Sequence, residues 1–223
     1  MHHRLKRLSQ SVNARTSSKK IMLSHQKTNA SLTRCPWCEK NLADQHYHDT
    51  EWGVPMHDDR DLLELITLEG AQAGLSWSTV LAKRAGYKRI FKNFDATKIV
   101  KFTDADIAAA LADTGIVRNK LKVHSTVGNA RAYLAVQTKY GSFNKFLWDA
   151  VGGAPRINNW EVFTQVPAKT AASDALSKLL LAHGFKFVGS TICYAFMQAS
   201  GMVNDHIVSC FRHQEVNKPP VKK

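Results

Sequence analysis

The stretch Leu68-Glu69-Gly70-Ala71-Gln72-Ala73-Gly74-Leu75-Ser76-Trp77 sets one carboxylate among small residues, with a tryptophan a few positions on. Upstream of it, Leu62, Leu65, Ile66 and Glu69 fall at i, i+3, i+4 and i+7, the spacing of one helix face. An apolar stripe over 59–69 therefore ends in an acid. Burying an ionised group without compensation is costly, so Glu69 must meet donors, meet a cation or take up a proton. The small residues after it leave room for a flat ligand to lie on Trp77 with its edge toward Glu69, the layout of a base or cation pocket. The plainer alternative is a helix-end glutamate capped by the next turn.

Outward from this stretch the pattern stays helical. The spacing predicts helices over 59–69, capped by Asp58 or Asp59, and 76–85, with Ser76 as N-cap. Others follow near 87–93, 96–101, 104–112, 119–139 and 143–150, with Thr103 and Asp106 placed for a capping box. Gly152 to Pro167 breaks the pattern and reads as a linker or irregular excursion. Two last helices, near 171–183 and 190–200, end at Gly184 and Gly201. Residues 33–56 read as a loop-rich segment that needs something to hold it. Short β-like runs such as Phe185 to Val188 lack partners of comparable length, so the expected fold is all-α.

With 223 residues the chain has room for one sizeable core, or two small packed ones. No apolar run approaches the ~20 residues of a spanning helix, and the first residues lack the hydrophobic block of a secretory signal. The expectation is a protein without a membrane partner, cytoplasmic in location. The net charge is +13, but of the 31 Lys and Arg, 8 lie in residues 1–34 and 3 in residues 218–223, which leaves 20 against all 18 acids. The body is nearly neutral and the ends are basic, a distribution that gives DNA a salt-sensitive, sequence-independent attraction. Residues 1–32 read as a disordered basic extension, with an organellar transit peptide as the alternative, and 215–223 as a basic tail.

The four cysteines, Cys35, Cys38, Cys193 and Cys210, are too few for a disulfide scaffold of this length. Cys35 and His48 near one end, with His206 and Cys210 near the other, make a zinc shell of two thiolates and two imidazoles, provided residues 206–210 continue as a helix that puts i and i+4 on one face. A closed four-ligand shell makes the ion structural. Cys38, in the Cys35-x-x-Cys38 spacing familiar from metal sites, competes with a histidine; His46 is a weaker rival. In His183-Gly184-Phe185-Lys186-Phe187-Val188-Gly189-Ser190-Thr191 a tight turn joins two helices. It is either a phosphate site, with amides at a helix N-terminus and Lys186 adding charge, or an ordinary helix-helix corner.

Taken together, Cys35…Tyr47-His48-Asp49…Glu51-Trp52-Gly53, the stretch 68–77, Gly128-Asn129-Ala130-Arg131-Ala132-Tyr133, Gly184 to Gly189 and Val203-Asn204-Asp205-His206 resemble the 3-methyladenine DNA glycosylase I family. The resemblance spans residues 33–214 in order. It implies a helix-hairpin-helix glycosylase domain that flips N3-methyladenine out of double-stranded DNA and hydrolyses its N-glycosidic bond, leaving an abasic site. It also implies a monomer with one zinc ion on Cys35, His48, His206 and Cys210, Cys38 being a bystander. By the same implication Glu69 accepts hydrogen bonds from the flipped base, Tyr47 and Trp77 stack on it and Trp52 shapes the pocket. Gly74 and Leu75 then probe the gap left in the duplex, and the turn 184–189, with Gly184, Lys186, Val188 and Gly189, holds the backbone. Asp44 departs from the family pattern, which has an additional pocket tyrosine there. Asp205 is expected to orient His206 or cap a helix. No lysine follows Gly189, where bifunctional relatives keep their nucleophile, so no strand scission is expected. The rival readings are a catalytically idle reader of alkylated DNA and a zinc-held module without a DNA partner.

Overall fold

The computed structural model describes residues 32–217. Residues 32–34 carry no regular structure, and the folded unit begins at Cys35. The basic extension falls outside the described residues up to position 31, as does the tail from position 218.

After a 3-10 turn at Pro36–Cys38 come α1 (Leu42–Thr50), α2 (Asp59–Gln72), α3 (Trp77–Leu81), α4 (Arg84–Ile90), α5 (Ala96–Ile99), α6 (Asp104–Ala112), α7 (Lys120–Tyr140) and α8 (Phe143–Ala150). An irregular stretch holding the two-residue strand β1 (Arg156–Ile157) leads to α9 (Ala171–Ala182) and α10 (Ser190–Ala199). Strand β2 (Val203–Asn204) and the short α11 (Phe211–Glu215) close the described chain. The strands pair in parallel for two residues, so the fold is all-α with one small tie.

Polar caps set most starts. Side chains of Asn41, Asp58, Ser76, Asp95, Asn119 and Ser142 accept from amides in the first turns of their helices, and Thr103 and Asp106 form the expected capping box. The axis of the molecule is α2. Every residue from Leu62 to Ala71 is buried, because α3, α7, α8 and α10 pack around it. The stripe read from the sequence is thus one side of a helix buried on all sides. Its first residue is pinned as well: the Asp59 carboxylate accepts from Gln137 Nε2, Ser142 Oγ and the amides of Phe143 and Asn144.

Three expectations need correction. The segment read as loop-rich contains α1, started by Asn41 and buried through Asp44, Tyr47 and His48. The helix expected over 76–85 stops at Leu81, and a new one starts at Arg84; Gly86 sits so close to Gly115 that a Cβ there would lie 2.1 Å from the Gly115 carbonyl oxygen. Residues 206–210 are not helical: after β2 the chain runs through a turn closed by the Cys210 amide on the Ile207 carbonyl, and α11 starts only at Phe211.

Candidate active site and metal centre

Glu69 lies in the last turns of α2 and is buried. No hydrogen-bond donor or cation among the described residues meets its carboxyl group. Loss of hydration without compensation pushes its pKa up to about 8. Of the three fates open to this acid, burial therefore favours the third, protonation.

The carboxyl group stands on the wall of a cavity of about 290 Å³ whose other faces include Trp37, Tyr47, Trp52, Trp77, Phe163 and the polar side chains of Asp44, Gln72, Ser78 and Gln198. Tyr47 and Trp77 lie against each other, ring centroids 4.9 Å apart and tilted by 40°. Trp37 packs edge-on against Trp52 at 5.2 Å. Burial, then the nearby Glu69 carboxyl group, drives the Tyr47 phenol well above its ordinary range, which keeps it a neutral aromatic face. Among the described residues four buried side-chain polar atoms lack a partner, and three of them, Trp37 Nε1, Asp44 Oδ1 and Trp77 Nε1, belong to residues of this wall. Folded proteins leave few such atoms, so their gathering at one cavity points to a polar ligand. The size suits one flat heterocycle.

Beside this cavity, and sharing Glu69, Gln72 and Ala195 with it, an open groove is lined by Ala73, Gly74, Leu75, Thr191 and Ile192. Leu75, in the turn between α2 and α3, is an exposed large apolar side chain. Lys122 on α7 fixes that turn by donating from Nζ to the carbonyls of Ala71 (2.8 Å) and Ala73 (2.7 Å). The turn between α9 and α10 is held by Asn129, which donates to the Lys186 carbonyl and accepts from its amide. Gly70 lets this turn lie on α2, since a Cβ there would come within 3.1 Å of Phe187. Gly189 is the N-cap of α10 and supplies no capping side chain, so the first amides of α10 face outward with the positive end of the helix. Gly184, Lys186 and Gly189 are exposed, whereas the Val188 side chain is buried, leaving only its backbone near any ligand.

On the far side of Trp52, Cys35, His48, His206 and Cys210 converge, with one ligand atom from each within 4.8 Å of all the others. The Cys35 sulfur is 3.7 Å from His206 Nδ1, and the Cys210 sulfur is 3.5 Å from His48 Nε2 and 3.6 Å from His206 Nδ1. Sulfur and nitrogen bound to one tetrahedral zinc are separated by ~3.6 Å, given bonds of ~2.3 and ~2.05 Å. The outward nitrogens are already employed: His48 Nδ1 donates to Asp49 at 2.8 Å and His206 Nε2 to the Trp52 carbonyl at 3.1 Å. These bonds set the tautomers that leave the inner nitrogens as ligands. Gly53 permits the second of them, because a Cβ there would lie 2.8 Å from His206 Nε2 and its φ is +80°. Hydrogen bonding from Cys35, then from the two histidines, holds the Cys210 thiol low, while that same contact and burial raise Cys35. Burial keeps His206 neutral. Two thiols this close ionise together only around a cation, so the donor set fits a metal ion.

The four ligands expected from the sequence are therefore brought together, though by a turn and not by a helix. Cys38 is turned away, its thiol donating to the Cys35 carbonyl at 3.1 Å, and His46 is exposed. Asp205 neither orients the His206 ring nor caps a helix. Fully buried, it accepts from Asn158 Nδ2, Trp160 Nε1, Tyr194 OH and Gln198 Nε2. It thus fastens the irregular stretch after β1 onto α10, and by taking the amide hydrogens of Gln198 it fixes that cavity residue. The reading of the chain did not single out Trp37, Gln72, Ser78, Phe163 or Gln198. Trp37 had a signal, an aromatic between two cysteines; Phe163 had none, since only the path of the irregular stretch brings it here.

A family model described as methyladenine glycosylase matches residues 37–213. DNA-3-methyladenine glycosylase 1 of Escherichia coli (strain K12) is 46% identical over 179 residues, covering 80% of this chain and 96% of that protein. The chain is also similar to a crystal structure of 3-methyladenine DNA glycosylase I, with a TM-score of 0.79 and 49% identity over 80% of this chain and 98% of the other. A second similar structure, a variant of 3-methyladenine DNA glycosylase I in complex with 3-methyladenine, has a TM-score of 0.77 and 34% identity, covering 80% of this chain and 96% of that one.

Proposed function

The chain belongs to the methyladenine glycosylase family, and from that premise we propose that it excises N3-methyladenine from alkylated double-stranded DNA as a monomeric, monofunctional hydrolase. The observation that carries the reading is Glu69, a buried acid without a partner among the described residues, on the wall of an aromatic cavity of single-base size.

Alkylation at N3 places a positive charge on the purine and weakens its bond to the sugar. On cleavage the bonding electrons leave with the base, which becomes neutral; water adds to the sugar carbon and releases its proton, leaving an abasic site. The leaving group is good, so the protein's task is to extrude and recognise. The faces of Tyr47 and Trp77 attract a cationic ring. The same cation stabilises the ionised form of Glu69, so that capture of the base and ionisation of the acid favour each other. A neutral adenine offers no charge to offset ionising Glu69 in a dry cavity.

The DNA route follows from the surface beside the cavity. Leu75, being exposed, would enter the gap behind an extruded base, and the amides at the start of α10, with Lys186, would meet a backbone phosphate. Ser190 and Thr191 follow Gly189 where a lyase would need an amine nucleophile, which supports simple hydrolysis. Cys35, His48, His206 and Cys210 would hold one zinc ion, which when bound supplies a cross-link and no chemistry, its four positions being taken by protein.

The test is release of free N3-methyladenine from alkylated duplex DNA, with Glu69→Gln as the control. Release by the wild-type protein and a loss of about 10- to 100-fold in E69Q are expected, the scale of one hydrogen bond to a charged partner. DNA binding without release would favour the idle reader, and unchanged release by E69Q would remove Glu69 from the mechanism.

A further inference from the structure

Asp44 is the third residue of the first turn of α1, and its position there has an ordinary explanation that covers half of it. Its amide donates to Asn41 Oδ1 and its Oδ2 accepts from Asn41 Nδ2 at 2.8 Å, a reciprocal cap. Ser78 Oγ also donates to Oδ2, at 2.5 Å. Such a cap uses one oxygen and works at the surface, yet Asp44 is only 2% exposed and its Oδ1 is buried with no partner. An acceptor left in that state is destabilising unless a donor arrives from elsewhere. Asp44 and Ser78 both line the cavity that holds Glu69.

We infer that Asp44 is a specificity-determining residue of this site: its Oδ1 accepts a hydrogen bond from the exocyclic amino group of the extruded base, as a second acceptor besides Glu69. The inference rests on the glycosylase reading above and deepens it. An exocyclic amino group carries two hydrogens, one for each carboxyl group, so a purine with a carbonyl in that position loses both contacts and sets its oxygen against Oδ1. The two donors on Oδ2 also define an informative substitution. In Asp44→Asn the amide oxygen is held toward Asn41 and Ser78, so the NH2 group takes the place of Oδ1. The acceptor becomes a donor with almost no change of shape.

The test compares free 3-methyladenine with 3-methylhypoxanthine, which carries a carbonyl where 3-methyladenine has its amino group, by titration calorimetry on the metal-loaded wild-type, D44N and D44A proteins. Wild type is expected to prefer 3-methyladenine. D44N should weaken binding of 3-methyladenine about tenfold or more and narrow or reverse the preference, and D44A should narrow it without reversal, at unchanged metal content. A purely structural role for Asp44 would weaken both ligands alike and leave the ratio in place. If wild type excises N3-methyladenine while both variants keep its ligand ratio within about twofold, the inference is overturned and the glycosylase reading stands. If wild type neither binds nor releases 3-methyladenine, both fall. Should D44N not fold, the ratio measured with D44A decides alone.

Discussion

Two acids five residues apart on α2 meet opposite fates. Glu64 is paired by Arg84 Nε at 2.6 Å and Lys88 Nζ at 3.2 Å, and Arg84 reaches on to Glu51, so this carboxylate is neutralised by the frame. Glu69 is buried alone, and its pKa of about 8 lies above the 4.5 of the unfolded chain. Between these values the native state keeps a proton that the unfolded state has lost, so stability falls as pH rises through this window, at up to about 1.4 kcal/mol per unit. Below the window the contribution is constant. E69Q abolishes the slope: its melting temperature should match wild type near pH 4 and exceed it increasingly toward pH 8, as calorimetry across pH will show. The same proton governs binding. A cationic base displaces it, so KM for alkylated duplex DNA should fall as pH rises from 6 to 8, with proton release detectable in weak buffer. A KM flat across that range would mean that the acid keeps its proton beside the base.

At the scale of elements, the helices most legible in the sequence are those with an apolar period and a polar cap, α2, α6, α7 and α8. Besides the short α11, the helix missed was α1, where Asp44, Gln45, His46, His48 and Asp49 leave no apolar stripe to read. It is held by its Asn41 cap and by its contribution to the cavity and the metal centre, which only the folded chain supplies. The pairing of His206 with Cys210 was legible as chemistry and misread as a helix, because a turn delivers the same two side chains. Phe163 reaches the cavity because Asn158 and Trp160 are fastened to Asp205, contacts between distant segments that no local pattern encodes. The groove beside the cavity depends on one such contact, Lys122 on the last carbonyls of α2, where a cation also meets the negative end of the helix dipole. Lys122→Met should cost about 1.5–3 kcal/mol in denaturant unfolding. It should weaken binding to alkylated DNA, through the loosened turn at Leu75, while leaving binding of free 3-methyladenine close to wild type. Equal losses for both ligands would show that Lys122 supports the cavity as a whole.

For the whole molecule the charge and the four-ligand centre set the expectations. The body is nearly neutral and seven of the Lys and Arg residues lie in positions 1–31, so deleting those residues should flatten the salt dependence of DNA binding without changing excision at saturating DNA. An unchanged slope would assign the attraction to the body alone. The four-ligand centre joins segments more than 150 residues apart, and metal analysis should find one ion per chain. Stripping it with a chelator should lower the melting temperature by about 10 °C or more, given the several kcal/mol at stake. Cys210→Ser should melt equally low and not respond further to chelator; a variant that melts like wild type would reduce the centre to an accessory.

That clasp between remote segments also has a consequence in time. Trp37, Tyr47 and Trp52 leave the ribosome long before the turn that carries His206 and Cys210, more than 150 residues further on. A nascent chain that still lacks this turn therefore cannot lock its aromatic wall in place.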